Sequence, residues 1–139
     1  MSIQCASHLL MVRPAGFQFN AETAVSNAFQ KALYGFSEIE INEKAVQEFD
    51  AYVKTLRAHN IEVTVIQDTP EPPKPDAIFP NNWISMQENG TVYLYPMNTP
   101  NRRLERRDEI LEILETAFQI EHVIDLSTSE EQEKYLEGT

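Results

Sequence analysis

The pair Asn89-Gly90 sets the hardest limit on how this chain can fold. Asn-Gly supplies positive φ at little cost, and so selects a tight β-hairpin turn. On either side lie Trp83-Ile84-Ser85-Met86 and Thr91-Val92-Tyr93-Leu94-Tyr95, whose β-branched and aromatic residues read as the paired strands. Residues 96–101 form a loop, and a helix is predicted over residues 102–119. Leu104, Leu111, Leu114 and Phe118 make one stripe of it, widened by Ile110, Ile113 and Ala117. His122-Val123-Ile124-Asp125-Leu126 is a further strand, and residues 127–131 read as a capped acidic turn. The order is strand, strand, helix, strand.

The first half gives nearly the same order. His8-Leu9-Leu10-Met11-Val12 reads as a buried strand ended by Arg13-Pro14. Residues 16–30 hold Phe17, Phe19, Asn20, Thr23, Asn27 and Phe29 with no clean period. They read as an ordered loop pinned by aromatics, with a helical turn around residues 21–28; a lid over a site is the functional alternative. Asn42 is expected to cap a helix over residues 43–59, with Val46, Phe49, Val53 and Leu56 on one face. His59 at its end is explained by the negative end of the helix dipole. Residues 61–66 alternate as a strand, and the proline-rich residues 69–75 form a stiff connector. The chain therefore reads as α/β, with one module over residues 1–70 and a second over 71–139. Two like units argue for a repeated architecture such as a propeller-like ring of small sheets, although two do not close a ring.

Composition narrows the partners. A formal charge of −11 over 139 residues sets the chain against non-specific nucleic acid and against anionic membranes. Cys5 is the one thiol, so no internal disulfide can form, which favours a reducing compartment. One Cys with His8, His59 and His122 gives no zinc spacing. The N-terminus lacks the marks of a signal peptide, and no run approaches a membrane span. A soluble, cytoplasmic protein is expected.

Three places could carry chemistry. Pro75-Asp76-Ala77-Ile78-Phe79-Pro80-Asn81-Asn82-Trp83 puts a carboxylate, two amides and two aromatics on a proline-bracketed loop at the mouth of the hairpin. Such a loop builds ligand sites, and it also serves as a plain turn whose Asp and Asn satisfy the backbone. Asn101-Arg102-Arg103-Leu104-Glu105-Arg106-Arg107 packs four cations near a helix N-terminus, where they are unfavourable. A carboxylate-binding role for Arg102 and Arg103 would explain them, since Arg offers a fork of donors. Arg106 and Arg107 read better as a solvated face balanced by Glu105, Asp108 and Glu109. Glu137, in Leu-Glu-Gly-Thr, is by itself a solvated terminal acid.

Taken together these motifs resemble the amidinotransferase/hydrolase superfamily of guanidine-modifying enzymes. Tyr95-Pro96-Met97, Met11-Val12-Arg13-Pro14, residues 19–23 and residues 27–30 add to the likeness. Within the superfamily the chain looks most like the citrulline-utilisation and dimethylargininase-like hydrolases. The resemblance implies the five-bladed α/β propeller (pentein) built of ββαβ modules, about two of them present here. It implies a Cys thiolate attacking a guanidinium carbon, a His as acid and base, and carboxylates gripping the nitrogens, with no cofactor and no metal. By the same resemblance Asp76 matches the acid of the Pro-Asp motif, and Asn82 stands where a guanidinium-gripping Asp is usual, beside Asn81. Arg102 matches the holder of the amino-acid carboxylate, and Glu137 the second guanidinium-binding acid.

Two departures follow. Asn82 removes a negative charge, which leaves a neutral ureido compound such as citrulline open as substrate. Neither Cys5 nor any of the three His matches the nucleophile or its partner, so the chain is expected to supply substrate-gripping residues without hydrolysing anything alone. The rival expectation is a non-catalytic binding or assembly module, or a relic with the same fold, that associates with itself through unclosed sheet edges.

Overall fold

The structure is a computed structural model that describes residues 6–25, 27, 31 and 35–138. Cys5, and the Phe29 anchor expected in the early loop, lie outside the described residues.

Strand β1 (His8–Arg13) and strand β2 (Glu62–Gln67) pair in parallel, His8 opposite Glu62 and Arg13 opposite Gln67. A parallel pair needs a crossover, and helix α2 (Glu38–Ala58) provides it. Only Val12 of β1 is fully buried, so this strand is less enclosed than its apolar run suggests. In the second half, β3 (Ile84–Met86) and β4 (Thr91–Leu94) form the antiparallel hairpin. Gly90 sits in its turn at φ +76, as the Asn-Gly pair requires. Helix α4 (Asp108–Ala117) then crosses over to β5 (His122–Asp125), which lies parallel to β4. Strand order in this sheet is β3-β4-β5, with β5 at the edge and exposed along its length.

Two apolar clusters follow from this layout. Trp83, Ile84, Val92, Leu94, Met97, Ile110 and Leu114 fill the second half, joined by Ile66. Phe49, Val53 and Val63 fill the space under α2. Strand β2 serves both clusters because successive side chains leave opposite faces, Val63 going to one and Ile66 to the other.

Two helices differ from the sequence reading. Helix α2 starts at Glu38, with Ser37 and Glu40 closing a capping box; Ser37 Oγ accepts from Glu40 N at 3.3 Å and Ser37 N donates to Glu40 Oε2 at 2.8 Å. Asn42 caps nothing; its Oδ1 accepts from Phe17 N at 2.8 Å and so ties the early loop to the helix. The first turn was hidden from a periodicity argument because Ile39 is 72% exposed. The single helix expected over residues 102–119 is two. A short α3 (Pro100–Arg103) ends at Leu104, and α4 restarts at Asp108 with extended backbone at Arg107 and acids in its first turn. Leu104, first of the expected stripe, is 46% exposed.

The proline-rich connector is held from within. Lys74 is buried, and its Nζ donates to Thr69 O at 3.0 Å, Thr69 Oγ1 at 2.9 Å and Pro72 O at 2.7 Å. Asp68, also buried, lies 3.4 Å from the same ammonium. The early loop carries helix α1 (Ala21–Ala24), capped by Asn20. Among the described residues, no helix is long and apolar enough to cross a membrane.

Candidate functional site

The early loop, the loop of residues 75–83, α3 with the two residues before it, and the C-terminal tail surround a cavity of about 330 Å³. Asp76, Asn82, Arg102 and Glu137 all line it. Asp76 and Asn82 come from one loop, Arg102 from α3 and Glu137 from the C-terminal tail, so three stretches far apart in sequence meet here. Phe17, Thr23 and Asn27 of the early loop line it too, with Phe79, Asn98 and Thr99.

Asp76 is 7% exposed and takes two hydrogen bonds on one oxygen. Asn20 Nδ2 donates to Oδ2 at 2.7 Å and Thr23 Oγ1 donates to it at 3.2 Å. Asn20, itself buried, also pairs amide to amide with Asn101, at 2.8 Å and 3.4 Å, and caps α1 by accepting from Glu22 N. One buried amide thus joins the early loop, the Asp76 loop and α3.

Arg102 is 5% exposed and forms a paired fork with Glu105, Nε to Oε1 at 2.9 Å and Nη2 to Oε2 at 3.0 Å. Its Nη1 donates to Asn82 Oδ1 at 2.8 Å, and Nη2 reaches Phe79 O at 3.3 Å. Burial pulls the guanidinium down, but the bonds and charge of Glu105 outweigh it, with Asp76 and Glu137 adding to the upward shift. Burial pushes the Glu105 carboxyl up to about 7, against the pull of Arg102 and helped by the charges of Asp76 and Asp68. Glu105 therefore holds Arg102 in place; the sequence reading had given it only charge balance.

Asn82 lies in a short 3₁₀ turn, Pro80–Asn82, and braces two neighbours. Besides accepting from Arg102, its Nδ2 donates to Gly138 O at 2.8 Å, and its carbonyl accepts from Gly138 N at 2.8 Å. Asn81 is exposed and does not line the cavity. Glu137 is brought in by this tail: its Oε1 accepts from Asn98 N at 3.1 Å, and Leu136 N donates to Pro96 O at 3.1 Å.

The other arginines are structural, which corrects the reading of Arg106 and Arg107 as a solvated face. Arg106 is half-buried, donating to Tyr95 O at 3.0 Å and pairing with Glu130 at 2.7 Å. Arg107 pairs with Glu109 at 2.9 Å, the charge balance expected from the sequence, and also donates to Gln67 O at 3.1 Å, joining the two halves. Arg103 donates to Met97 O at 3.0 Å and does not line the cavity. Each donates to a backbone carbonyl distant from it in the chain or across a loop.

Among the described residues no His lines the cavity. His8 bonds Thr64 Oγ1 at 2.8 Å and stacks on Phe118, His59 is the C-cap of α2, and His122 is exposed in β5. Among the described residues no group of His, Cys, Asp and Glu is arranged to hold a metal.

The fold has a known counterpart. A dimethylarginine dimethylaminohydrolase, crystallised as a His-to-Gly variant in an adduct with S-methyl-L-thiocitrulline, superposes with a TM-score of 0.57 at 17% identity. The match covers 94% of this chain and 44% of that one. The Pseudomonas aeruginosa enzyme of the same name, a Cys-to-Ser mutant complexed with citrulline, gives 0.49 at 19% identity, over 83% of this chain and 40% of that one. This chain thus spans less than half the length of either. No curated protein sequence matches it. The sequence model of the eukaryotic N,N dimethylarginine dimethylhydrolases does match, over residues 13–139, and the chain belongs to that family.

Proposed function

We propose that the chain forms the substrate-gripping wall of a hydrolase acting on guanidino or ureido amino acids, of the arginine, methylarginine or citrulline type. The observation that carries this is the meeting of Asp76, Asn82, Arg102 and Glu137 in one cavity. Asp76 and Glu137 are each bonded on a single oxygen among the described residues, which leaves acceptor capacity for the N–H groups of a planar head. Arg102 is the donor for the amino-acid carboxylate, oriented by Glu105 and Asn82. Asn82 contributes through that bracing, since its amide is already engaged with Arg102 and Gly138. No cofactor enters this reading. The Cys–His pair that would attack the central carbon is, on this proposal, not among the residues around the cavity. The halves 1–70 and 71–139 are two modules of the propeller, the second having the order β3-β4-α4-β5.

Titration calorimetry on the 139-residue protein is expected to show binding of L-citrulline or ω-methylated L-arginine at millimolar concentration, with no product released. Binding of neither overturns the reading of the cavity. Release of citrulline or an amine overturns the absence of the catalytic pair.

One observation favours an added role in assembly. Strand β5 ends its sheet with Val123 44% and Ile124 39% exposed, an edge open to another strand. Self-association through it is expected as a concentration-dependent rise in sedimentation coefficient, and a monomer at all concentrations removes the idea.

A further inference from the structure

The two halves are built alike except at one edge. In the second, β4 lies between β5, a parallel neighbour reached through a helix, and the antiparallel β3. In the first, β1 has its parallel neighbour β2, reached through α2, and among the described residues no strand on its other side. Ser7 O accepts from Glu62 N at 2.8 Å and Arg13 O from Asp68 N at 2.9 Å. The two-residue period of a strand then turns Leu9 and Met11 toward β2 as well, and the backbone groups of His8 and Leu10 away from it. Strand β3 is the same case. Trp83 O accepts from Tyr95 N at 2.8 Å and Gln87 N donates to Thr91 O at 2.9 Å, so Ile84 and Met86 turn away from β4. A groove of about 820 Å³ runs between these two edges, and every residue from 6 to 11 and from 84 to 88 lines it. Successive side chains of a strand leave opposite faces, so a groove that meets all of them in turn follows the strand edges. Its charge is acidic: Glu88 lines it, the Glu62 carboxylate stands 3.9 Å from the His8 ring, and among the described residues no Lys or Arg lines it.

We propose that this groove takes an extended segment of another polypeptide, which adds antiparallel to β1 in the position that β3 holds beside β4. The segment is apolar at alternate positions and carries Lys or Arg at its ends. The backbones of His8 and Leu10 supply the ladder bonds, and the alternate side chains meet a lining that includes Leu9, Ile78, Ile84 and Phe118. In strand addition of this kind main-chain bonds give affinity and side-chain contacts give specificity. Basic ends answer Glu62, Glu88 and the net charge of −11, a charge that also works against a second copy of this chain as the occupant. The groove shares no lining residue with the cavity around Asp76, so the two readings stand or fall separately.

The test uses three synthetic peptides on the 139-residue protein. The first is Lys-Lys-Val-Thr-Val-Thr-Val-Lys-Lys, the second has Glu in place of every Lys, and the third is the lysine form with Pro in place of every Thr. The lysine peptide is expected to bind saturably, and the other two about 10-fold more weakly or worse. In the complex, amide exchange should slow at His8 and Leu10 and change less at Leu9 and Met11, which already face β2. Leu10→Pro removes an outward N–H and no bond to β2, and is expected to weaken binding about 10-fold or more. If that variant fails to fold, exchange in the parent protein decides. No binding of the lysine peptide, equal binding of all three, binding without slowed exchange at His8 and Leu10, or a folded Leu10→Pro that binds like the parent overturns the proposal. Slowed exchange at His8 and Leu10 without peptide, in step with a sedimentation coefficient that rises with concentration, assigns the groove to a second copy and overturns it too.

Discussion

Glu105→Ala is expected to lower the unfolding free energy by about 3–5 kcal/mol, a large share of the total for a domain of this size. The substitution strands the Arg102 guanidinium, 5% exposed, without the two carboxylate oxygens that hold it at 2.9 Å and 3.0 Å. Asn82 and the Phe79 carbonyl cannot neutralise it. The pair also sets a pH dependence. The Glu105 carboxyl stands at about 7 in the folded chain against 4.5 ordinarily, so between those values the folded state holds more proton than the unfolded one. Stability is therefore full below about 4.5 and falls as pH rises toward 7, by roughly 3 kcal/mol for this group taken alone. Urea unfolding at a series of pH values reads both effects, and Glu105→Gln should flatten the decline in that window. A parent protein that gains stability across it, or a Glu105→Ala variant within 1 kcal/mol of the parent, roughly the effect of one ordinary hydrogen bond, would contradict the buried-pair account.

Gly138→Ala is expected to release the C-terminal tail and remove Glu137 from the cavity. A Cβ at this position runs into the Asn81 carbonyl oxygen, and that backbone is fixed in the 3₁₀ turn by Asn82 N→Phe79 O at 3.2 Å and Trp83 N→Pro80 O at 3.0 Å. The tail must yield instead. It gives up the two 2.8 Å bonds between Gly138 and Asn82, a loss of roughly 2 kcal/mol together. Without that anchor Glu137 no longer meets Asn98 N, and citrulline affinity should drop about 10-fold or more. Amide exchange at Gly138 and titration with citrulline report the two effects separately. Unchanged protection together with unchanged affinity removes the tail from the site.

How much of this was legible from residues alone depends on the range of the interaction. Asn89-Gly90 and its flanking runs gave the hairpin because turn and strands are local. The start of α2 was written in Ser37 and Glu40, but Ile39 points to solvent, so the apolar period begins later than the helix. At the break between α3 and α4, Arg106 and Arg107 reach carbonyls at Tyr95 and Gln67, partners that no window around residue 105 contains. For the cavity, Asp76, Asn82, Arg102 and Glu137 were named through resemblance to a family, not through spacing. Thr23 and Asn27 were noticed only as polar members of a segment without a period. Asn98 and Thr99 went unremarked, since lining a cavity is a property of three-dimensional surroundings. Asn20 is the same case: its bonds to Asp76 and Asn101 join positions scattered along the sequence.

The lysine folded into the proline-rich connector has a consequence for reactivity. An amine is acylated or alkylated only as the free base in contact with solvent, and Lys74 Nζ is enclosed with three oxygens already taking its hydrogens. The segment leading into Asp76 is therefore chemically silent while folded, and its one amine becomes a labelling target only when the knot around it has come undone.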